Sequence, residues 1–570
     1  MIMEKIYRGE FDPDLIRVGS PAIDEARVGV IVERYRELLK DYPPARLETG
    51  GALPAELLRK MGESGFFGLT IDTVYGGLGF SLCEYLKVVE EIARLDIPVA
   101  FTFLAHLSIG IKAIQLFGNE GQKHYYLSRA ASGEMIFAYA LTEPRIGSDA
   151  QHIETTAVLS EDETHYVLNG RKTYITNANY AGAMTVFAQM HPEEPGFIGA
   201  FIVETGWEGV QVGKDMPKMG LTSSSTASIQ FRNVPIPKEN LIGTPGEGFK
   251  IAMTVLNYGR LGLGASSASL MRLSAREMLS RASSRIQFQV PISNFELIQE
   301  KIVRARVGEA VSSAMNNLAA VMLQERPLLS TPVETSHCKL FGTTRAWDAA
   351  YDALQTAGGA GYLKTLPYEK RMRDMRVTTV FEGTTEVHSI YPALWGLRLI
   401  ARSLKEAGRS PLSLVADLLK LLVKGRKWPI FFENGIMQKA LREAKKCAKG
   451  VRGLLLGATL VYGRKIAAGQ TANREFLLRR ITTLSLYTFG LLALLRETDI
   501  LHKAGAIEAE DLRILQYFTA EAKQARKDNN RLFDSKKERV NSALFKEFSR
   551  LQTQGGAETD GETRSEAGDK

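Results

Sequence analysis

The chain is 570 residues long, which exceeds the size at which a single hydrophobic core stops growing, so we expect several domains. Apolar residues make up 45% of the chain and charged residues 24%, an ordinary balance for a globular protein. The formal net charge of +8 favours an acidic small molecule, an acidic partner or an anionic surface. The chain has no long lysine or arginine run and no nucleic-acid-binding signature, so we expect no nucleic-acid partner.

Three cysteines, Cys83, Cys338 and Cys447, are far apart and form no CxxC pair. This spacing favours a reducing compartment and argues against a structural disulfide or a metal site. Residues 1–19 lack the apolar segment of a signal peptide and carry acidic residues, so we expect a cytoplasmic protein. The longest apolar run, 481–495, is shorter than the ~20 residues that a membrane-spanning helix needs and predicts a buried helix.

Helical and strand patterns alternate along the chain. Apolar residues recur at helical spacing within residues 1–135 and predict an N-terminal helical domain. Residues 136–245 contain short runs rich in β-branched and aromatic residues, separated by turns such as Asn169-Gly170, and predict an antiparallel β-domain. Long helical patterns return over 246–402, so the predicted class is α+β.

A further helical block is predicted over 403–552, followed by a polar, glycine-rich and disordered tail at 553–570. Within this block, residues 411–428 are amphipathic, with leucines on one side and Lys420 and Lys424 on the other. Such a helix can pack into a core with its lysines in water, or lie on an anionic membrane. We favour core packing and keep peripheral contact with the inner face of a membrane as the alternative.

The most informative carboxylate is Glu382, which stands between Phe381 and Gly383 and follows a glycine cluster at 358–361. An apolar neighbour raises the pKa of a carboxyl group toward neutrality, where a general base works best, so Glu382 is a candidate base. By itself this pattern is weak, since most glutamates beside glycine are solvated or cap a helix. The glycine cluster follows a helical pattern and not a strand, which favours a helix end over a phosphate loop.

Six ordered segments of the chain resemble the acyl-CoA dehydrogenases. They are YALTEPRIGSDA at 139–150, NGRKTYITNA at 169–178, FRNVPIPKENLIG at 231–243, LNYGRLG at 256–262, RIQFQVPISNFELIQEK at 285–301 and RDMRVTTVFEGTTEV at 373–387. The resemblance spans about residues 40 to 400 and implies a helical domain, a β-domain and a C-terminal four-helix bundle. The additional helical domain resembles the very-long-chain branch of the family.

This resemblance implies FAD-dependent dehydrogenation of a fatty acyl-CoA to the trans-2-enoyl-CoA, as in β-oxidation. Glu382 would remove the α-proton and flavin N5 would accept the β-hydride. The Glu382 N–H, with a flavin ribityl hydroxyl, would bind the thioester carbonyl oxygen. The implied partners are a long-chain acyl-CoA, an electron-transfer flavoprotein and a second copy in a homodimer. Two alternatives stay open: an acyl-CoA oxidase that uses O₂, and a non-catalytic assembly scaffold on the same fold.

The same resemblance implies a set of binding residues. Those matched to the flavin within one subunit are Tyr139, Leu141, Thr142, Ser148, Tyr174 and Thr176. Those matched to a neighbouring subunit's flavin are Arg285, Gln287, Gln355, Gly358 and Gly359, and Thr384 and Glu386 match the adenosine side. The implied substrate contacts are Ser148, Asn257, Arg260 and Gly383. Without the resemblance, these residues would be interpreted as ordinary strand, turn and surface positions.

Four positions depart from the family pattern. Tyr174 stands where tryptophan is usual, although an aromatic ring is kept. Gln289 replaces a glycine of the RxQFG pattern, and Glu296 and Glu386 replace other residues. Two extra carboxylates would repel a pyrophosphate unless they point away or bond a ribose hydroxyl, so we expect weaker flavin binding than is usual.

Overall fold

The computed structural model describes residues 1–14, 19, 23–328, 332–406, 428–467 and 474–555. The predicted amphipathic segment 411–428, apart from Trp428, lies outside these residues. The predicted tail does too, from residue 556 onward. Nothing in the described chain therefore bears on the predicted membrane contact of that segment.

The N-terminal part is helical, as predicted. Its helices are α1 (Ile2–Tyr7), α2 (Glu25–Asp41), α3 (Pro44–Gly50), α4 (Ala55–Glu63), α5 (Leu82–Ala93), α6 (Ile97–Ala105), α7 (Lys112–Phe117), α8 (Glu120–Gln122) and α9 (Ser128–Ser132). Asp24, Ser81 and Asp96 begin α2, α5 and α6, because each side chain accepts the N–H three residues ahead. One π-helical turn, His106–Gly110, joins α6 to α7 and packs against both the first strand and the first helix of the bundle.

The central part is one eight-stranded sheet. Its strands are β1 (Ile136–Ala140), β2 (Thr156–Leu159), β3 (His165–Thr176), β4 (Ala181–Gln189), β5 (Ile198–Glu204), β6 (Val210–Val212), β7 (Thr226–Pro237) and β8 (Leu241–Ile242). The order is β6-β7-β3-β2-β4-β5-β8, with β1 beside β4. Most neighbours are antiparallel, but β1 and β2 pair with β4 in parallel, so the sheet is mixed and not wholly antiparallel. The pattern of one strand does not reveal the direction of its neighbour, which is why the sequence could not show this.

The bundle consists of α10 (Gly248–Ser284), α11 (Glu296–Glu325), α12 (Pro332–Ala357) and α15 (Thr385–Glu406), with short α13 (Gly359–Tyr362) and α14 (Tyr368–Arg376) before α15. Helix α10 packs on α11 and α12, and α12 packs on α15. The hairpin β9 (Ile286–Gln287) and β10 (Val290–Pro291) connects α10 to α11. Helix α15 continues past residue 402, where a domain boundary was predicted, and the boundaries themselves stay predictions.

The C-terminal helices are α16 (Gly435–Ala467), α17 (Glu475–Lys503), α18 (Ala509–Asn529) and α19 (Lys536–Gly555). Helix α17 packs against α11, α15, α16 and α18, so the extension shares the core of the bundle. The segments Ile97–Phe117 and Glu475–Lys503 are long and apolar enough to span a membrane, but their most apolar windows are 89% and 83% buried in the fold. The predicted buried helix at 481–495 is confirmed within α17.

Candidate active site

Glu382 lies in the turn just before α15, with a φ of 53° that non-glycine residues rarely adopt. Its Oε2 atom is shielded from solvent and has no hydrogen-bond partner in the part of the chain that the structure describes. Burial raises the pKa of the Glu382 carboxyl group to about 7, although the nearby charges of Arg260 and Lys339 oppose this. A recessed, unpaired carboxylate that titrates near neutrality has the properties of a general base.

The carboxylate of Glu382 rests directly on the backbone of α10. A Cβ atom added at Gly259 would lie 2.3 Å from Glu382 Oε2 and 2.7 Å from Oε1. Gly259 is therefore required for the position of the base. Sequence analysis did not single it out, although a glycine in the interior of a long helix was the available signal.

Arg260 is the next residue on α10, and it is only 7% exposed. Its Nη1 donates to Asn257 Oδ1 at 3.2 Å, and Thr335 Oγ1 donates to the same oxygen at 2.8 Å. Its Nε is buried with no hydrogen-bond partner among the described residues. Burial lowers the pKa of Arg260, and the charge of Glu382 partly opposes that change. A buried cation thus faces the candidate base.

Two further buried side chains hold the backbone around the base. Lys339 Nζ donates to the carbonyl oxygen of Gly383 at 2.6 Å, and burial lowers the pKa of Lys339 to about 8. His388 Nε2 lies 3.0 Å from the carbonyl oxygen of Glu382, and its Nδ1 lies 2.7 Å from Ser336 Oγ. Sequence analysis missed these three residues, because lysine, serine and histidine in helical segments carry no distinctive signal.

Apolar and aromatic groups complete the site. The Phe381 ring meets the Phe101 ring edge-on, with centroids 5.8 Å apart. Tyr139 on β1 donates its hydroxyl to Ala252 O at 3.3 Å, and burial followed by the charge of Glu382 raises its pKa well above the ordinary value. The predicted residues that the structure brings together here are Tyr139, Asn257, Arg260, Glu382 and Gly383.

Three family models match consecutive parts of the chain: the acyl-CoA dehydrogenase N-terminal domain over 31–134, the middle domain over 138–234 and the C-terminal domain over 246–391. The human very long-chain specific acyl-CoA dehydrogenase, mitochondrial, is 33% identical over 509 residues, covering 86% of this chain and 77% of that relative. The chain belongs to the acyl-CoA dehydrogenase family. It is therefore a flavin-dependent oxidoreductase with FAD as its cofactor.

Solved structures agree with this membership. A Bacillus anthracis acyl-CoA dehydrogenase complexed with FAD matches with a TM-score of 0.79 and 27% identity, covering 96% of this chain and 94% of that one. A chain from a structure of the electron transferring flavoprotein of Acidaminococcus fermentans matches with a TM-score of 0.61 and 33% identity. That match covers 66% of this chain and 99% of the other chain. The first match includes the C-terminal helices, so the extension has a counterpart in a known structure.

In this chain, a buried ion pair fixes the strand ends that were predicted to face the flavin. Lys172 Nζ donates to Glu143 Oε1 at 2.8 Å and to the Leu141 carbonyl oxygen at 3.1 Å. The next backbone group, the carbonyl of half-buried Thr142, accepts the N–H of Thr173 at 2.9 Å. The ends of β1 and the middle of β3 are thereby joined, and neither member of the ion pair was predicted from sequence.

The predicted flavin residues on β3 lie at an irregular point of that strand. Tyr174 has a φ of 58°, and the register between β3 and β7 shifts between Lys172 and Ile175. This bulge leaves Tyr174 67% exposed, and its ring offers an aromatic surface suited to stacking. Thr176, at the end of β3, is half-buried, and Ser148 is exposed in the loop after β1.

The residues matched to a neighbouring subunit are exposed. Arg285 and Gln287 lie at the β9–β10 hairpin, and within the described ranges Arg285 forms no ion pair. Gln355 lies in the last turn of α12, and Gly358 and Gly359 lie at the junction of α12 with α13, where added Cβ atoms at both glycines would meet nothing within 4 Å. An unpaired guanidinium and an open glycine backbone fit the phosphates of FAD. Thr384 is half-buried beside the base, and Glu386 is exposed in the first turn of α15.

The residues that depart from the family pattern are also exposed. Phe288 and Gln289 form the two-residue loop of the hairpin with φ values of 52° and 69°. Positive φ at both positions is what a type I′ turn requires, and glycine adopts this conformation more readily than glutamine. Glu296 is exposed at the start of α11, as Glu386 is on α15, so both carboxylates can be solvated.

Proposed function

We propose that this chain oxidises a fatty acyl-CoA to the trans-2-enoyl-CoA, with Glu382 removing the α-proton. The observation that carries the proposal is the Glu382 carboxylate, which is recessed, unpaired within the described chain and has a pKa of about 7. A buried charge without a partner is unfavourable, so a glutamate kept only for stability would be paired or exposed. A recessed and unpaired carboxylate is instead what we expect of a residue that abstracts a proton.

The backbone N–H of Glu382 is available to bind the substrate. This N–H donates to no acceptor in the described part of the chain. We assign this donor to the thioester carbonyl oxygen, where it stabilises the negative charge that develops as the α-proton leaves. The cations of Arg260 and Lys339 favour the ionised carboxylate before the transfer, whereas burial favours the neutral acid afterwards. FAD, when bound, supplies the acceptor for the hydride from the β-carbon.

The proposed cofactor site uses two copies of the chain. We assign Tyr139, Leu141, Thr142, Ser148, Tyr174 and Thr176 to the flavin of their own subunit, with Thr384 and Glu386 on the adenosine side. Arg285, Gln287, Gln355, Gly358 and Gly359 are assigned to the flavin of a second copy. The hairpin that carries Arg285 also exposes Phe288 by 88%, and a large apolar side chain at such a tip supports a homodimer.

The proposed substrate is a long-chain acyl-CoA and the proposed acceptor an electron-transfer flavoprotein. Similarity to the human very long-chain specific enzyme supports the first, and similarity to a chain from the Acidaminococcus electron transferring flavoprotein structure supports the second. Residues 101–114, which include the ring that touches Phe381, are the proposed wall of the acyl cavity. Asn257, Arg260, Ser148 and Gly383 are the proposed polar contacts of the thioester and CoA.

An anaerobic titration of the FAD-loaded protein tests the proposal. Acyl-CoAs from butyryl to eicosanoyl are added, flavin absorbance is recorded, and enoyl-CoA is identified by mass spectrometry. We expect bleaching with long chains and a loss of at least ~10³-fold in rate for Glu382→Gln. Glu300→Gln, an exposed glutamate on α11, is the control and should retain the rate.

The competing functions predict different results in the same assay. Peroxide release in air without an added acceptor would indicate an oxidase. The proposal would be contradicted if none of the acyl-CoAs bleached the flavin of the FAD-loaded protein. It would also be contradicted if the Glu382→Gln variant kept the original rate. The second result would favour an assembly scaffold.

A further inference from the structure

Two consecutive backbone carbonyls beside the base are held by buried side chains from different helices. Lys339 on α12 donates to Gly383 O at 2.6 Å, and His388 on α15 lies 3.0 Å from Glu382 O. The imidazole packs closely under the turn, because a Cβ atom at Gly383 would lie 2.6 Å from His388 Nε2. The backbone on the C-terminal side of Glu382 is thus fixed by contacts outside its own turn.

The protonation of His388 follows from its partners. A carbonyl oxygen can only accept, so the proton must lie on Nε2. Burial, followed by the charges of Arg260 and Lys339, lowers the pKa of His388 well below its ordinary value, so the ring is neutral and its Nδ1 is unprotonated. Ser336 Oγ, 2.7 Å from Nδ1, must then be the donor. The hydrogen bonds therefore run in one direction, from Ser336 to His388 to Glu382.

The conformation that this arrangement maintains is an unfavourable one. Glu382 has a φ of 53°, and non-glycine residues remain in such conformations only where their surroundings determine them. The contact of the Glu382 carboxylate with Gly259 and the direction of the Glu382 N–H both depend on this backbone conformation. A change of a few tens of degrees would move the two groups relative to each other.

We propose that His388, oriented by Ser336, is a positioning residue that holds Glu382 in the left-handed conformation needed for proton abstraction. This inference rests on the proposed function. His388 does not contact substrate or exchange protons; it acts through the Glu382 carbonyl. Its effect is to keep the carboxylate and the N–H of Glu382 aimed at the α-carbon and the carbonyl oxygen of one thioester.

Turnover of variants provides the first test. His388→Leu removes the donor, and a base misplaced by about 1 Å should lower kcat by ~10²-fold with KM nearly unchanged. His388→Gln keeps an amide N–H donor on a side chain of similar length and should recover most of kcat. His337→Leu is the matched control, because His337 is a neighbouring buried histidine whose Nε2 contacts Ser485 Oγ at 2.8 Å. It should lower thermal stability without changing kcat.

A measurement without turnover separates positioning from a merely structural role. A 3-thia-acyl-CoA has an acidified α-proton and no β-hydride to transfer. When it is bound beside the flavin and loses this proton, a long-wavelength absorbance appears, and this absorbance reports α-proton loss. We expect the apparent pKa of this loss to rise by about one in His388→Leu, a tenfold change in equilibrium. Ser336→Ala should raise it less, and His337→Leu should leave it unchanged.

The outcomes distinguish this inference from the proposed function. If the original protein forms no enoyl-CoA, the proposed function fails. If it is active and FAD-loaded His388→Leu has the same kcat and the same apparent pKa, the positioning role is wrong. It is also wrong if His337→Leu reproduces both changes. Should His388→Leu not fold, Ser336→Ala carries the test, and an unchanged apparent pKa in that variant overturns the inference.

Discussion

At the scale of residues, the site depends on the absence of a side chain at Gly259. We expect Gly259→Ala to displace the Glu382 carboxylate, because the added methyl would lie 2.3 Å from Oε2. The rate should fall by about 10²-fold while the protein still folds. The matched control is Gly264→Ala, on the same helix as Gly259, whose methyl would lie 2.3 Å from Asn316 Oδ1 on α11.

Both Gly259→Ala and Gly264→Ala overpack α10, so each should reduce the free energy of unfolding by about 1–3 kcal/mol in a urea titration. Only Gly259→Ala should lose activity out of proportion to stability. Equal losses of activity in the two variants would show that Gly259 has no special relation to the base.

The pH dependence of the reaction is a second prediction at this scale. Glu382 must be ionised to accept a proton, so kcat/KM should rise with pH and level off above its pKa of about 7. Lys339 is one of the cations that lower this pKa, so Lys339→Met should move the inflection to higher pH. Lys112→Met is the control: Lys112 is also buried, but its Nζ lies over the Tyr258 ring, and its charge is not among those that shift the pKa of Glu382. An inflection that stays in place in Lys339→Met would contradict the assignment.

At the scale of elements, the β9–β10 hairpin carries a turn that its sequence does not favour. Gln289 has a φ of 69°, which costs a non-glycine residue about 1–2 kcal/mol, whereas glycine loses about 0.5–1 kcal/mol through backbone entropy. Gln289→Gly should therefore raise the free energy of unfolding by about 0.5 kcal/mol, measured from the urea midpoint at constant m-value. Val290→Gly, in the adjoining strand, should lower it, and a loss in both variants would show that the turn is not strained.

At the scale of the whole molecule, the C-terminal helices are part of the same core as the site. Ser485 Oγ on α17 lies within hydrogen-bonding distance of Tyr7 on α1 and His337 on α12, at 2.6 and 2.8 Å. The Phe518 ring on α18 packs on the Phe341 ring of α12, with centroids 6.0 Å apart. The extension should therefore unfold together with the bundle and not as a separate unit.

Phe518→Ala tests this cooperativity. We expect it to lower the free energy of unfolding by about 3–5 kcal/mol, because a large fully buried ring is removed. Far-UV circular dichroism and flavin fluorescence should report the same shifted urea midpoint. Phe548→Ala on α19, where the side chain is 61% exposed, should change the midpoint little. Flavin release at the original midpoint, with an earlier loss of helicity, would show that the extension folds independently.

The sequence alone determined the order of helical and strand regions, the candidate base and the family. Periodic apolar residues and turn residues act over a few positions, and the motif around Glu382 is contiguous. Both kinds of signal can therefore be recognised in the sequence without knowledge of the fold. Asn257 and Arg260 were found in the same way. The assignments at Arg285, Gln287, Gln355, Gly358 and Gly359 stay predictions, because they concern a second copy of the chain.

Only the tertiary structure decided the parallel pairing of β1 with β4 and the surroundings of Glu382. Gly259, Lys339 and His388 lie on α10, α12 and α15, and they meet at one turn because those helices pack together. Burial then sets the pKa of Glu382 near 7, the neutral form of His388 and the direction of its hydrogen bonds. Burial and contacts between distant segments are properties of the packed chain, and no local pattern in the sequence encodes them.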